Sequence, residues 1–180
     1  PYLGRAFSNQ ECVDACAEFL PWVAVASKAN IPAETASALS QGKVVAWFQG
    51  RSELGPRALG NRSILATPAE AGMVERINQA IKKREGFRPF APTVLSAYAA
   101  DFFEFSHPSP YMSQTVICYP NKRAEIPAVV HVDGTSRIQT LEPEENPLYH
   151  QLISEFHQRT GLPMVLNTSF NIKGEPIVET

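Results

Sequence analysis

The sequence is poor in the features that would mark a specialised class of protein. Its 180 residues include only 3 Cys, an odd number without the paired spacing of a disulfide framework. The 10 Gly and 15 Pro are too irregularly placed for a collagen-like repeat. No apolar run approaches the roughly 18 residues that a membrane helix needs, and the chain does not open with a basic segment followed by an apolar one. These absences argue against disulfide-stapled, fibrous and membrane-bound proteins and predict a cytoplasmic domain with reduced thiols.

The charge is small overall but unevenly distributed. The 16 Lys+Arg and 18 Asp+Glu give a formal net charge of −2, which argues against a general nucleic-acid binder. Residues 51–88 nevertheless hold 8 basic side chains against 4 acidic ones, whereas residues 89–180 hold 5 against 10. A local excess of this size predicts a focused anion site.

Helix and strand signals are mixed along the chain. Capping signals and periodicity predict helices from Ser8 to Pro21 and over 32–40, 69–82 and 148–159. Apolar runs predict strands at 43–49, 93–96, 115–119, 128–133, 137–141 and 164–166, the first of them buried. Pro89 and Pro92 are expected to confine the second strand to an edge or a turn. The mixture indicates an α/β or α+β domain with a mixed sheet.

A glycine-punctuated loop follows the first predicted strand. Its sequence is Gly50-Arg-Ser-Glu-Leu-Gly-Pro-Arg-Ala-Leu-Gly-Asn-Arg-Ser63. It is not a Walker loop, because Pro56-Arg57 follows the second glycine where Lys and Ser or Thr would be required. What remains is a set of arginines, Arg51, Arg57 and Arg62, whose guanidinium groups can bind phosphate or carboxylate in a bidentate manner. The alternative is that they pair with Glu53 and other carboxylates at the surface.

A second basic cluster spans residues 82–90. The solvated end of a helix explains Lys82 and Lys83 well, because cations are favoured in the last helical turn. Arg88 is more specific, because it lies between Phe87 and Phe90 next to a proline that fixes the backbone. Its structural alternative is stacking or capping inside the fold.

Two further polar groups follow apolar segments. His131 and Asp133 alternate on a predicted strand, but two side chains do not make a metal site, and satisfied structural polar groups are the better interpretation. Asn167 to Ser169 follow the last predicted strand, where polar residues form either a binding loop or a turn. Arginines, a lysine, hydroxyls and amides on four separate loops are typical of polyphosphate binding and of phosphoryl or nucleotidyl transfer.

The motifs together resemble the C-terminal domain of the O-carbamoyltransferases, the family that includes nodulation protein U and the enzymes that carbamoylate tobramycin, cephalosporin and ansamycin scaffolds. The resemblance runs from about Leu3 to the end of the chain. The blocks that carry it are Trp47 through Arg51, Gly55 through Ser63, Lys82 with Arg84-Glu85, Phe87 through Pro92, His131 through Thr135 with Arg137, and Asn167 through Asn171 with Lys173 through Pro176. Gly86 and Ser52 depart from the family's usual residues, and neither is a proposed contact.

This resemblance implies a YrdC-like fold, similar to that of threonylcarbamoyl-AMP synthases, with a twisted mixed sheet surrounded by helices. Residues 1–180 would form one domain that binds ATP, with Mg²⁺ on the nucleotide, and carbamoyl phosphate, and that makes carbamoyl adenylate. A preceding metal-bearing domain of the sugar-kinase and Hsp70 superfamily, expected to be missing from this chain, would then transfer the carbamoyl group to an acceptor hydroxyl. The C-terminal domain itself is expected to hold no metal.

The resemblance also implies the site residues. The nucleotide and carbamoyl phosphate contacts would be Arg57, Lys82, Arg88, Arg137, Asn167 and Ser169. The four cations among them would be catalytic, because they would neutralise the charge that develops as pyrophosphate leaves, and the two neutral residues would orient the ligand. The expected supports around them are Arg51, Arg62, Arg84 and the turn 131–134.

A second interpretation is a binding module without chemistry, which would hold double-stranded RNA or another polyanion in the same cavity. The net charge of −2 disfavours it, so nucleic acid is not the expected partner. The acceptor, the activity of the isolated domain and the roles of His131 and Asp133 stay open. So does the oligomeric state, for which a homodimer of the full-length protein is one alternative.

Overall fold

A mixed sheet of seven strands runs through the structure, a computed structural model that describes residues Pro1–Glu179. The strands are β1 (Val45–Phe48), β2 (Arg62–Ala66), β3 (Ala91–Leu95), β4 (Phe103–Glu104), β5 (Gln114–Cys118), β6 (Thr135–Leu141) and β7 (Met164–Ser169). The helices are α1 (Asn9–Cys16), α2 (Ile31–Ser40), α3 (Met73–Arg76), α4 (Ala99–Phe102) and α5 (Pro147–Thr160). The described residues also include a π-helical segment, Ile77–Lys82, and short 3₁₀ turns at Ala17–Phe19, Ser96–Tyr98 and Pro127–Val129.

The strand order is β1-β2-β7-β3-β6-β5-β4. Only the β3–β6 pair is parallel, and the five other neighbouring pairs are antiparallel. The predicted mixed sheet of an α/β or α+β fold is therefore confirmed. The register also sets β7 between β2 and β3, so the centre of the sheet joins segments that lie far apart in the sequence.

Apolar side chains cover both faces of the sheet. Adjacent residues of one strand point to opposite faces, and accordingly Leu65 and Leu95 pack with α2 and α5, while Ala66 and Val94 belong to the cluster that includes residues of α3 and α4. The central strands are consequently buried along most of their length, and their polar residues lie inside the fold.

Caps and spacing explain the two helices that cover one face. In α5 the Asn146 side chain accepts a hydrogen bond from the Tyr149 amide (3.3 Å), and Gly161 ends the helix with φ +78°. Asn30 caps α2 similarly, accepting from the Ala33 amide at 3.1 Å. The buried positions of α5 are Tyr149, Leu152, Ile153 and Phe156, spaced as one helical face requires. Among the described residues, no helix combines the length and apolarity needed to cross a membrane.

Two predicted strands differ from those observed, and one observed strand was not predicted. The first, β1, is an edge strand that is only partly buried, because only β2 pairs with it. The prediction missed β2 itself, since a short apolar run after a polar loop carries little strand signal. The predicted strand at 128–133 is instead a 3₁₀ turn followed by a loop, because Ala128 and Val129 are buried by packing and not by strand pairing.

The predicted helix over 69–82 is also different. It consists of the four-residue α3 followed by the π-helical segment 77–82, which ends at Lys83 with φ +51°. Two buried polar residues, Asn78 and Lys82, lie in this segment. Distortions of this kind are frequent at functional sites, and both side chains bond to backbone carbonyls outside the segment.

Pro92 lies within a central strand, although proline is expected only at an edge or a turn. In β3 it stands opposite Leu166 of β7. The pairing with β6 begins only at Thr93. The strand is therefore locally an edge on the β6 side, which is why a residue without an amide hydrogen is tolerated there.

Gly60 allows the first basic loop to approach α5 closely. Its φ is +105°, and a Cβ at this position would lie 2.1 Å from Cδ1 of the buried Tyr149. We expect Gly60→Ala to lower the free energy of unfolding by about 2–4 kcal/mol, because it combines an unfavourable backbone conformation with overpacking. Urea unfolding measures this change. Gly72→Ala is the matched control, since no atom lies within 4 Å of its added Cβ; an equal loss in both variants would contradict the prediction.

Candidate anion-binding site

The site lies where β3 begins and β7 ends. Asn167 of β7 stands opposite Ala91, the first residue of β3. Arg137 lies two residues before Gln139 of β6, which pairs with Thr93. The sheet register therefore brings Asn167 and Arg137 to the same end of neighbouring strands. The two basic segments identified in the sequence, the loop before β2 and residues 82–90, both reach this end.

Glu53 organises the first basic loop. Its Oε1 accepts hydrogen bonds from the amides of Leu59 (2.7 Å), Asn61 (2.8 Å) and Arg62 (3.3 Å). The carboxylate thus binds the backbone of the loop, contrary to the alternative in which it pairs with the neighbouring arginines. The exposed Arg57 lies in the loop between Glu53 and the bonded amides.

A buried polar network ties the same loop to the central strands. The Asn167 Nδ2 group donates to the Ala58 carbonyl (3.1 Å) and to Thr93 Oγ1 (3.0 Å). Thr93 Oγ1 donates to Gln139 Oε1 (2.8 Å), and Gln139 Nε2 donates to the Leu59 carbonyl (3.1 Å). Two adjacent carbonyls of the loop, those of Ala58 and Leu59, are therefore bonded to side chains of β7 and β6. The Asn167 Oδ1 atom is buried and has no hydrogen-bond partner among residues 1–179.

Asn78 organises the second basic segment. Its Nδ2 group donates to the carbonyls of Gly86 (3.1 Å) and Arg88 (2.9 Å), and its Oδ1 accepts from Arg84 Nε (2.7 Å). The Arg84 guanidinium lies 5.1 Å from the centroid of the Phe90 ring. One buried amide from the π-helical segment thus orients Arg84 and the backbone of Arg88.

Lys82 is buried beneath the site, with 2% of its surface exposed. Its Nζ donates to the Ser169 carbonyl, to Ser169 Oγ (3.1 Å), and to the carbonyl (3.1 Å) and Oδ1 (2.8 Å) of Asn171. All four acceptors are neutral. Burial, with a smaller contribution from Arg84, lowers the pKa of Lys82 to about 8.

Two cavities open between these segments. The smaller, of about 110 Å³, extends to Asn167 and Ser169, and the larger, of about 310 Å³, extends to Arg88 and His131. They adjoin, because both are lined by Arg57, Arg84, Pro89, Phe90 and Arg137. No Asp or Glu is among the lining residues of either cavity. A third cavity, of about 790 Å³, lies away from the site beside β1, and no charged residue lines it.

The guanidinium groups of the site repel one another. Burial and the nearby Arg57 lower the pKa of Arg137, and burial and Arg88 lower the pKa of Arg84. Arg137 Nε is buried without a hydrogen-bond partner in the part of the chain that the structure describes. Arg88 differs from the other arginines of the site in having a carboxylate partner, because its Nε contacts Glu85 Oε2 at 2.9 Å on the surface. An anionic ligand would relieve the repulsion and satisfy the unpartnered donor.

His131 lies in a tight turn beside the larger cavity and not on a strand. Its amide donates to the Thr135 carbonyl (2.7 Å), and the Gly134 amide donates back to the His131 carbonyl (2.9 Å). Asp133 bonds to Thr135 and not to a metal-ligand cluster; within residues 1–179 no group of three His, Cys, Asp or Glu side chains could hold a metal ion.

Five of the six predicted contacts line the cavities, and they are Arg57, Arg88, Arg137, Asn167 and Ser169. Lys82 does not line either cavity, but it holds Ser169 from below. Arg84 and His131, predicted as supports, line the cavities themselves. Sequence reasoning missed the organising roles of Glu53 and Asn78. The position of Glu53 within the glycine-punctuated loop was the only available signal.

The chain is similar in sequence to several known proteins. Residues 36–180 match the model of a family described as "Carbamoyltransferase C-terminus". The chain is 49% identical over 154 residues to nodulation protein NolNO of Sinorhizobium fredii, covering 84% of this chain and 23% of that protein. It is 41% identical over 145 residues to 3'-hydroxymethylcephem-O-carbamoyltransferase of Amycolatopsis lactamdurans, covering 81% and 27%. The chain therefore spans about a quarter of the length of these curated relatives.

A solved structure shares the fold. It is the crystal structure of full-length HypF in a phosphate- and nucleotide-bound form, with a TM-score of 0.58 and 19% identity over 86% of this chain and 19% of that one. At this identity the likeness concerns the fold alone, and it confirms the YrdC-like architecture predicted from the sequence.

The site predicts binding of small polyanions. We expect pyrophosphate to raise the melting temperature of the chain, and Arg137→Ala to weaken its binding at least about tenfold, because charge-assisted hydrogen bonds are lost. The unfolding free energy of the ligand-free variant should stay within about 1 kcal/mol of the wild type, since a repelling cation is removed. Calorimetry and thermal unfolding check both parts. Arg159→Ala, a helix-surface variant whose guanidinium contacts Glu155, is the control, and a large loss of ligand-free stability in Arg137→Ala would indicate a structural role.

Proposed function

The chain belongs to the carbamoyltransferase C-terminus family, and from that membership we propose that it is the carbamoyl-activating domain of an ATP-dependent O-carbamoyltransferase. In this proposal it binds ATP and carbamoyl phosphate at the arginine-lined cavities and forms carbamoyl adenylate. The observation that carries the proposal is the pair of adjoining cavities lined by four arginines and by no carboxylate. The nucleotide and phosphate in the HypF structure of the same fold add support.

The cavity charges fit the ligands. Carbamoyl phosphate and a triphosphate are both polyanions, and guanidinium groups bind their oxygens in a bidentate manner. Arg57 and Arg137 face both cavities, so they would contact groups in either. Arg57, Arg88, Arg137 and the buried Lys82 would stabilise the charge that develops as pyrophosphate leaves.

Neutral side chains would orient the ligand. Asn167 Oδ1 is a buried acceptor, able to receive a hydrogen bond from an N–H group, and Ser169 lies next to it along β7. Lys82 would act partly through Ser169, because it fixes both the carbonyl and the hydroxyl of that residue. A carbamoyl group carries such an N–H donor beside its carbonyl oxygen, which matches this pair of side chains.

The proposed reaction has two steps. Carbamoyl phosphate reacts with water, its P–O bond to the carbamoyl group breaks, and carbamate and inorganic phosphate result. A carbamate oxygen then attacks the α-phosphorus of ATP, and the bond to pyrophosphate breaks. The products are carbamoyl adenylate and pyrophosphate, one of each per ATP.

Magnesium would arrive with the nucleotide. Because neither cavity is lined by a carboxylate, phosphate oxygens and water would supply its ligands, as is common for this ion. When bound, it would reduce the negative charge that the arginines have to neutralise.

Transfer to an acceptor hydroxyl belongs, in this proposal, to a separate metal-bearing domain that precedes this one in the full-length protein. The curated relatives are about four times as long as the matched region, which leaves room for such a domain in them. The acceptor would then contact no residue of this chain.

The proposal predicts a partial reaction. With ATP, Mg²⁺ and carbamoyl phosphate, we expect this chain to release pyrophosphate but to carbamoylate no added hydroxyl acceptor. Arg57→Ala and Arg137→Ala should abolish ATP binding, which calorimetry measures. They should therefore also abolish the release of pyrophosphate. Arg159→Ala should leave both unchanged, because its side chain lies on α5 outside the cavities.

Other outcomes would contradict the proposal. Absence of ATP binding together with absence of pyrophosphate would reject it, and an O-carbamoylated product from this chain alone would reject the division between two domains. Tight binding of double-stranded RNA that weakens steeply with salt, in place of ATP binding, would favour the polyanion-binding interpretation.

A further inference from the structure

We propose that His131 is a catalytic base that activates the water for cleavage of carbamoyl phosphate in the larger cavity. The inference rests on the proposed function, which requires one water molecule to be consumed. His131 lines this cavity together with four arginines and Thr115. Within that lining it is the only side chain that can accept a proton near neutral pH, because arginine stays protonated and the other lining groups do not titrate there.

The turn around His131 fixes its position. Two backbone hydrogen bonds close the turn, from the His131 amide to the Thr135 carbonyl and from the Gly134 amide to the His131 carbonyl. Gly134 has φ +81°, and the Arg123 guanidinium packs where a Cβ would lie. The imidazole is therefore attached to a backbone that cannot easily rearrange.

A hydrogen-bond chain selects the tautomer of the ring. Thr135 Oγ1 donates its single hydrogen to Asp133 Oδ1 at 2.7 Å, and this bond to a carboxylate is the stronger of the two that the hydroxyl makes. Thr135 Oγ1 then has only lone pairs for His131 Nδ1, which lies 3.2 Å away. Nδ1 consequently carries the hydrogen, and Nε2 is left with a lone pair that can accept a proton.

The surroundings keep the ring neutral. Burial lowers the pKa of His131 below its usual 6.5, Arg137 lowers it further, and Asp133 opposes them by raising it. Asp133 itself is ionised at neutral pH, because its bonds to Thr135 lower its pKa. The charged groups of the cavity are the four arginines, which also disfavour an imidazolium. The ring is thus a base and not an acid when the reaction begins.

The proposed step consumes one water molecule. His131 Nε2 takes one proton from water, and the water oxygen forms a bond to the phosphorus of carbamoyl phosphate. The bond from phosphorus to the carbamoyl oxygen breaks, and its electron pair remains on carbamate. Inorganic phosphate leaves, and the imidazolium returns its proton to solvent or to phosphate.

Supplying carbamate tests this step by bypassing it. We expect His131→Gln to release pyrophosphate from ATP and carbamoyl phosphate at least about 10²-fold more slowly than the wild type, the size typical of a lost general base. With ATP and ammonium carbamate in place of carbamoyl phosphate, the two proteins should release pyrophosphate at rates within about twofold. Calorimetry with ATP and thermal unfolding establish that His131→Gln is folded and still binds nucleotide.

The controls separate the inference from the function on which it rests. His107→Gln, an exposed histidine outside both cavities, should behave as wild type with either substrate. Equal loss with both substrates in His131→Gln, or no loss with carbamoyl phosphate, would overturn the role of His131 alone. So would a wild type that uses carbamate but not carbamoyl phosphate. A wild type that uses neither would reject the proposed function as well.

The pH dependence supplies a second readout. The rate with carbamoyl phosphate should fall on the acidic side of an apparent pKa below 6.5, because protonation removes the base. Thr135→Val, which removes the hydroxyl that fixes the tautomer, should lower this rate about tenfold or more while leaving the carbamate-dependent rate unchanged. An acid limb that persists unchanged in His131→Gln would assign the titration to another group and overturn the proposal.

Discussion

The site depends on cations that are held by neutral acceptors. Lys82 is bonded to carbonyl, hydroxyl and amide oxygens, and Arg84 is bonded to an asparagine. A neutral acceptor fixes the position of a cation but leaves its charge uncompensated. The carboxylate of the first loop, Glu53, accepts hydrogen bonds from backbone amides and does not pair with these cations. The positive charge therefore remains available to a ligand.

Holding this charge requires a rigid support, because the cations would otherwise move apart. The support is the centre of the sheet, where β7, β3 and β6 contribute Asn167, Thr93 and Gln139 to one buried network. The polar side-chain atoms of these three residues are hydrogen-bonded except Asn167 Oδ1, and loss of any member would leave costly unpaired groups. The network also bonds to the Ala58 and Leu59 carbonyls of the first loop. The position of Arg57, the residue before them, therefore depends on the register of the sheet. This coupling gives the cavity its shape before any ligand is bound.

Local sequence patterns identified the elements that depend on caps and on one covered face. The helix α5 was predicted at 148–159 from its apolar spacing and Gly161, and it spans Pro147–Thr160. The patterns failed where packing or distant strands decided the outcome, as at 128–133, at β2 and in the π-helical segment. The resemblance of the motifs gave the family and the fold. It also gave candidate contacts, which stay predictions until a ligand is bound.

The sequence by itself determined the local excess of basic residues, the two basic segments and the class of fold. It could not determine which cations face a ligand, since this depends on pairing between residues up to about a hundred positions apart, such as Asn167 with Ala58. Only the tertiary structure placed Arg84 and His131 at the cavity and Lys82 beneath it. The physical reason is that the groups packed around a charged side chain determine its exposure to solvent. Which groups those are depends on strand pairing between segments that lie far apart in the sequence.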